Sequence, residues 1–97
     1  TENQGAIIID EGACKALKQN NSLLFVGVKN IANSFEKGDV INCMNEKNVC
    51  IAKGITNYGS EDIDLLKGQS TENIISEHGN KFTKEVIHAD NLIVIEI

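Results

Sequence analysis

The apolar residues of this chain come in short runs, and the spacing within the runs changes along its length. Ala6-Ile7-Ile8-Ile9 is a continuous apolar run of strand length and reads as a short buried strand. Asp10 follows it, where a carboxylate can accept from free N–H groups of a first helical turn, and predicts a helix over Glu11 to Gln19. On that helix Ala13, Cys14 and Leu17 share one face, while Glu11, Lys15 and Lys18 share the other. Asn20-Asn21 closes it, since Asn tolerates left-handed backbone. Leu23 to Ile31 reads as a second extended stretch, interrupted by Gly27, and a glycine inside a strand marks a bulge or a close backbone approach. Lys37-Gly38-Asp39 is a turn, and Val40–Met44 and Val49–Ile55 form a hairpin around Asn45–Asn48. Two short helices follow. Ser60 caps the first, with Glu61 and Asp62 in its first turn, Lys67 in its last and Gly68 beyond. Ser70 caps the second, with Glu72 near its start and Gly79 at its end. Val86-Ile87-His88 and Leu92–Ile95 are extended. Short strands with three small helices predict a β-rich α+β barrel or small sandwich.

Composition sharpens this picture. A chain of 97 residues holds one domain with a small core. With no Trp, one Tyr and three Phe, that core is aliphatic, and its Ile and Val favour strands. The longest apolar runs fall far short of the ~20 residues that span a bilayer. Three cysteines without C-x-x-C spacing support neither a zinc knuckle nor a disulfide framework, so a reducing, cytoplasmic setting is expected. With a loop at Asn45–Asn48, Met44 faces Val49 and Cys43 faces Cys50, within disulfide reach. In a reducing compartment the thiols are nevertheless expected to be free. Net charge is -5, and every basic residue is Lys. The planar fork that Arg offers to phosphate and guanine is therefore missing.

Candidate chemistry is sparse. Gly54-Ile55-Thr56-Asn57-Tyr58-Gly59-Ser60 has the glycine spacing of a P-loop, but Ser60 stands where the phosphate-neutralising Lys belongs. The segment reads instead as a strand end running into a helix cap. His78 sits before Gly79, where a cation suits a helix C-terminus, and His88 can form a local hydrogen bond with Asp90. Neither histidine has a partner at metal-binding helical spacing, and no catalytic residue or metal ligand is assigned.

Several segments together resemble the PUA domain family. Ile9-Asp10-Glu11-Gly12-Ala13 with Ala16-Leu17 resembles its first strand and helix. Asn21-Ser22-Leu23-Leu24 leading to Gly27-Val28 resembles its second strand, and Phe35-Glu36-Lys37-Gly38-Asp39-Val40-Ile41 its "F-x-x-G-D-V-V" turn. The later blocks are similar to the form that closes glutamate 5-kinases. Ile51-Ala52-Lys53-Gly54-Ile55-Thr56-Asn57-Tyr58-Gly59-Ser60 looks like "I-A-R-G-L-x-N-Y-S-S". Glu85-Val86-Ile87-His88-Ala89-Asp90-Asn91-Leu92 looks like "E-V-I-H-R-D-N/D-L". Lys53 and Ala89 stand where Arg is usual, and Phe25 where Pro is usual.

The resemblance implies a mainly β, mixed-strand pseudo-barrel with about three short helices. It implies a single domain over 1–97, with 1–4 as linker from an amino-terminal kinase domain. That kinase domain would bind ATP, Mg²⁺ and glutamate and would be this domain's partner, alone or in a homo-oligomer. The chain itself is expected to be non-catalytic and to serve assembly or regulation. The alternative is an RNA-binding module, since PUA folds that hold RNA use the first helix, the following loop and the second strand. Here that region supplies Lys15, Lys18, Asn20, Asn21, Ser22 and Lys29 as candidate contacts. The acidic balance and the absence of Arg disfavour this, and the lysines read more simply as a solvated helix face.

Overall fold

The computed structural model describes residues 5–95. The expected linker, 1–4, lies outside the described residues. Five strands form one mixed sheet in the order β2-β1-β3-β4-β5: β1 Ala6–Ile9, β2 Val28–Ala32, β3 Val40–Met44, β4 Cys50–Ile55 and β5 Leu92–Val94. Three helices, α1 Glu11–Lys18, α2 Ser60–Leu66 and α3 Thr71–His78, complete a β-rich pseudo-barrel of the expected class. β1 pairs antiparallel with β2 and parallel with β3, and β4 pairs antiparallel with β3 and β5.

The core is aliphatic, as the composition requires. Ile7, Ile9, Ile41, Cys43, Ala52, Ile63, Leu66, Val86 and Ile87 have no exposed surface. Tyr58 packs between Phe25, with ring centroids 5.2 Å apart and tilted, and Phe82, at 5.8 Å and edge-to-face, and its hydroxyl accepts from the Lys84 N–H at 2.9 Å.

Local punctuation decides most element ends. Asp10 Oδ1 accepts from the Ala13 N–H at 2.7 Å, and Ser70 Oγ accepts from the Asn73 N–H at 3.1 Å, so both are side-chain caps. Asn20, Gly68 and Gly79 take positive φ after the three helices. Ser60 is different. Gly59 occupies the N-cap of α2, and Ser60 is its first helical residue. The Ser60 hydroxyl turns away to the Phe35 backbone, accepting from its N–H and donating to its carbonyl, both at 3.2 Å. The tie across 25 residues replaces the local cap.

Three further expectations are corrected. Leu23 to Ile31 is not one strand: Phe25–Gly27 makes a 3-10 turn and β2 begins at Val28. Val86-Ile87-His88 contributes only an isolated antiparallel bridge, Leu23 to Ile87. In the β3–β4 hairpin the Asn45 N–H donates to the Val49 carbonyl at 2.9 Å, and Asn48 has φ 64°. That is a tight turn with a left-handed residue before the second strand. Met44 therefore faces Cys50, and a bulge then sets Cys43 opposite Ala52 rather than Cys50.

Burial pushes the Cys43 thiol up to about 12, from an ordinary value of about 9.0. Between those limits the folded chain keeps a proton that the unfolded chain has lost. Stability therefore falls as pH rises through this window, by up to about 1.4 kcal/mol per pH unit from this one group. Urea unfolding between pH 8 and 11 should show that slope. Cys43→Ala, less stable at neutral pH, should show a shallower one.

Candidate functional site

Helix α1 lies between two surface grooves, and the candidate contacts divide between them. Its position is set by a close approach. The Asp10 N–H donates to the Gly27 carbonyl at 3.0 Å, and a Cβ at Gly27 would stand 2.6 Å from that of Ala13. Cys14 and Leu17 then turn into the core, leaving the flanks of α1 as groove walls.

One flank is apolar. Gly12, Ala13, Ala16, Ser22, Leu23, Leu24, Val26 and Gly27 line a groove of about 270 Å³, with Asp10 at its edge. Leu24 and Val26 are half exposed along it, at 43% and 51%. Ser22 is already engaged, because its Oγ accepts from the Ala89 N–H at 2.8 Å and so ties the loop after α1 to the turn before β5. Asn20 and Asn21 finish the helix: their N–H groups donate to the carbonyls of Leu17 and Ala16, both at 3.0 Å.

The other flank is charged. Lys15 and Lys18 line a groove of about 340 Å³ with Glu11, Cys14, Ile51 and the hairpin residues Asn45, Glu46 and Lys47. Lys29 reaches the same hairpin and pairs with Glu46 at 3.0 Å, a bond that raises its pKa. Burial likewise raises the Cys14 thiol, with Lys18 only partly offsetting it. Burial thus disfavours the Cys14 thiolate, the form that acts as a nucleophile.

Of the six candidate contacts, Lys15 and Lys18 share the charged groove and Ser22 lines the apolar one. Asn20 and Asn21 hold the helix end between, and Lys29 is drawn to Glu46. Glu46 and Lys47 were missed because nothing in a linear reading brings the hairpin tip to α1. Leu24 and Val26 carried a visible signal, two apolar residues in a stretch expected to be strand, but not the 3-10 turn that exposes them.

The segment with P-loop spacing is fully occupied by structure. A Cβ at Gly54 would lie 2.7 Å from Ile87 Cγ2 and 2.8 Å from the Asn91 carbonyl, so this glycine admits the chain that packs over β4. Thr56 Oγ1 donates to the Tyr58 carbonyl at 2.7 Å, and Asn57 Nδ2 donates to the Glu85 carbonyl at 3.0 Å. The backbone N–H groups that a phosphate cradle would need are spent as well, Thr56 on the Asp39 carbonyl at 3.0 Å, Asn57 on that of Val86 at 2.8 Å and Ser60 on that of Phe35 at 3.0 Å. His88 Nδ1 accepts from the Asp90 N–H at 3.0 Å, the local turn bond expected of it. Among the described residues no helix is long and apolar enough to cross a membrane.

Comparison with known proteins places these features. The sequence profile of the PUA domain family matches residues 5–78. Over 95% of its length the chain is 44% identical to the glutamate 5-kinase of Dictyoglomus thermophilum. Over 96% it is 40% identical to that of Aquifex aeolicus. It spans about a quarter of the length of these curated relatives, 25% and 26%. Among solved structures it is similar to a PUA domain from Aeropyrum pernix K1 crystallised as a tartrate complex. That likeness has a TM-score of 0.63 and 28% identity over 65% of this chain and 35% of that one. A chain of an archaeal box H/ACA sRNP complex shares the fold alone, with a TM-score of 0.64 and 17% identity over 99% of this chain and 25% of that one.

The Gly27–Ala13 contact gives a direct test of how α1 is held. Gly27→Ala should cost about 1–3 kcal/mol by overpacking. Adding Ala13→Gly should restore part of that loss, although the glycine alone costs a helix about 1 kcal/mol. Urea unfolding of the two single variants and the double variant measures the coupling, and strict additivity would refute the contact.

Proposed function

The chain belongs to the PUA domain family, and from that premise we propose that it is the non-catalytic accessory domain of a glutamate 5-kinase. The parent reaction is ATP-dependent phosphorylation of L-glutamate, the first step of proline synthesis. The observation that carries this reading is identity of 44% and 40%, sustained over 95% and 96% of the chain, with proteins of that name. ATP, Mg²⁺ and glutamate belong to the amino-terminal kinase region of such a protein, in the cytoplasm. The segment here with the glycine spacing of a P-loop does not fit a nucleotide phosphate. The strand-to-helix segment that has P-loop spacing spends Ser60 on Phe35 and Asn57 on Glu85. This domain then contributes through its surfaces, to the assembly or regulation of the kinase.

Two outcomes are expected. The coding frame upstream of Thr1 should contain an amino-acid-kinase region. The purified chain should give only background in a coupled ATP-consumption assay with glutamate. Turnover that follows the chain through several purification steps would overturn the reading.

The fold also supports a grip on structured RNA in some proteins, but the charge distribution here disfavours it. Lys29 is paired with Glu46, and Glu11 and Glu46 stand among Lys15, Lys18 and Lys47 in the charged groove. So few free cations neutralise at most about three phosphates. Titration with structured tRNA near 0.15 M salt should show no specific binding. Residual low-salt retention should vanish in a Lys15→Glu/Lys18→Glu variant. Sub-micromolar, sequence-selective binding would favour the RNA reading instead.

A further inference from the structure

Strand alternation leaves the outer face of the sheet with an apolar patch. Ile41, Cys43 and Ala52 point inward with no exposed surface, so Val40, Asn42 and Lys53 point outward, as does Ile55. Ile55 pairs with Val40, and Lys53 pairs with Ile93 on β5. Ile55 and Ile93 are thus diagonal neighbours, about 7–8 Å apart. Val40 is 50% exposed, Ile55 42% and Ile93 73%, the highest exposure of any large apolar residue described. The charged side chain among them is Lys53, whose stem can lie along apolar surface while its head reaches water. β5 is also an edge strand, and Leu92-Ile93-Val94 carries neither the charge nor the proline that usually blunts an edge. Asn42, in the row of Lys53 and Ile93, keeps its Oδ1 buried without a hydrogen-bond partner.

The chain reaches β1 beside this patch. The Asn42 N–H donates to the Gly5 carbonyl at 3.0 Å, which sets Gly5 level with the gap between Asn42 and Val40. The Val40–Ile55 row therefore lies at the end of the sheet where β1 begins. Val40 lies on the strand next to β1, and Ile55 and Ile93 lie one and two strands further across the sheet, so a domain that precedes β1 on a short connection has this face within the width of a few strands. The relatives require such a domain to be placed, since three-quarters of their length lies outside this match.

We propose that the outer sheet face around Ile55 and Ile93 is the surface on which the kinase region of the same polypeptide seats. The inference rests on the reading of the chain as part of a glutamate 5-kinase. An apolar face whose charged member is the single Lys53 fits the surface of a folded protein domain better than a polyanion, which a lone lysine holds only weakly. Leu65, 58% exposed on α2 and outside these strand rows, serves as the internal control.

The test uses the full-length protein with single substitutions Ile55→Cys, Ile93→Cys and Leu65→Cys. A charged maleimide labels each, peptide mapping separates the label from native thiols, and each rate is divided by that of the urea-unfolded protein. Positions 55 and 93 should react at least about tenfold more slowly than position 65, because they open only when the domains part. Equal rates at all three positions would overturn the proposal while leaving the kinase reading intact. Protection that fades on dilution would mark contact between copies and would also overturn it. A coding frame without a kinase region would remove the premise, and the inference with it.

Discussion

The parallel pairing of β1 with β3 is the constraint on which the rest of this fold depends. Two strands can lie parallel only if the chain between them crosses back over the sheet, which takes a dozen or more residues. Here that excursion is 10–39, and it carries α1, the 3-10 turn at Phe25–Gly27 and β2. Pairing β2 on the free side of β1 forces α1 to pack across the pair. Ala13 then meets the backbone at Gly27, where no side chain fits. The same closure delivers Phe35 to both ends of the structure. A Cβ at Gly5 would fall 2.6 Å from the Phe35 ring atoms, and the Phe35 carbonyl accepts from the Ser60 N–H at 3.0 Å. A buried phenylalanine thus joins the start of β1 to the start of α2, which explains why Ser60 is spent there rather than on a local cap.

How legible this was depended on whether the deciding interaction was local. The caps at Asp10 and Ser70, and the left-handed positions at Asn20, Gly68 and Gly79, are settled within a few residues, so the sequence displays them. Gly27 also announced itself, because a glycine inside an apolar run marks a place where the backbone bends or another element comes close. Ser60 did not, since a tie over 25 residues leaves no local trace. The hairpin shows a subtler limit. Asn45–Asn48 was the right turn segment, yet Asn45 Oδ1 accepts from the N–H groups of Lys47 and Val49, both at 2.9 Å, which stitches the loop tighter than counting residues suggests. One bulge later the cysteines no longer face one another. Register follows turn chemistry, and period-two alternation alone cannot supply it.

The candidate contacts followed the same rule. Lys15 and Lys18 share one helical face by periodicity, and the structure keeps them together. Their electrostatic setting comes from Glu46 and Lys47 on a hairpin that the sequence places some thirty residues away. That neighbour changes the chemistry of the face. An isolated pair of lysines would attract polyanions, but with Glu11 and Glu46 interleaved the local field is mixed. In a chain of net charge -5 without Arg, this groove therefore carries alternating signs of charge rather than a basic stripe.

The balance of surfaces favours a protein partner for a further physical reason. A domain of this size buries only about two-thirds of its unfolded surface, so its margin of stability is modest. Apolar area left at a sheet edge contributes nothing to that margin while exposed, and it invites pairing with other chains. Val40, Ile55 and Ile93 lie outside the buried core cluster, and much of their apolar surface meets solvent. A covering domain in the same polypeptide would change that balance. The linker would set its local concentration, and the apolar area would then add to stability without a separate association step. The outer face is thus a liability for a free domain and an asset for one held against a neighbour in the same polypeptide.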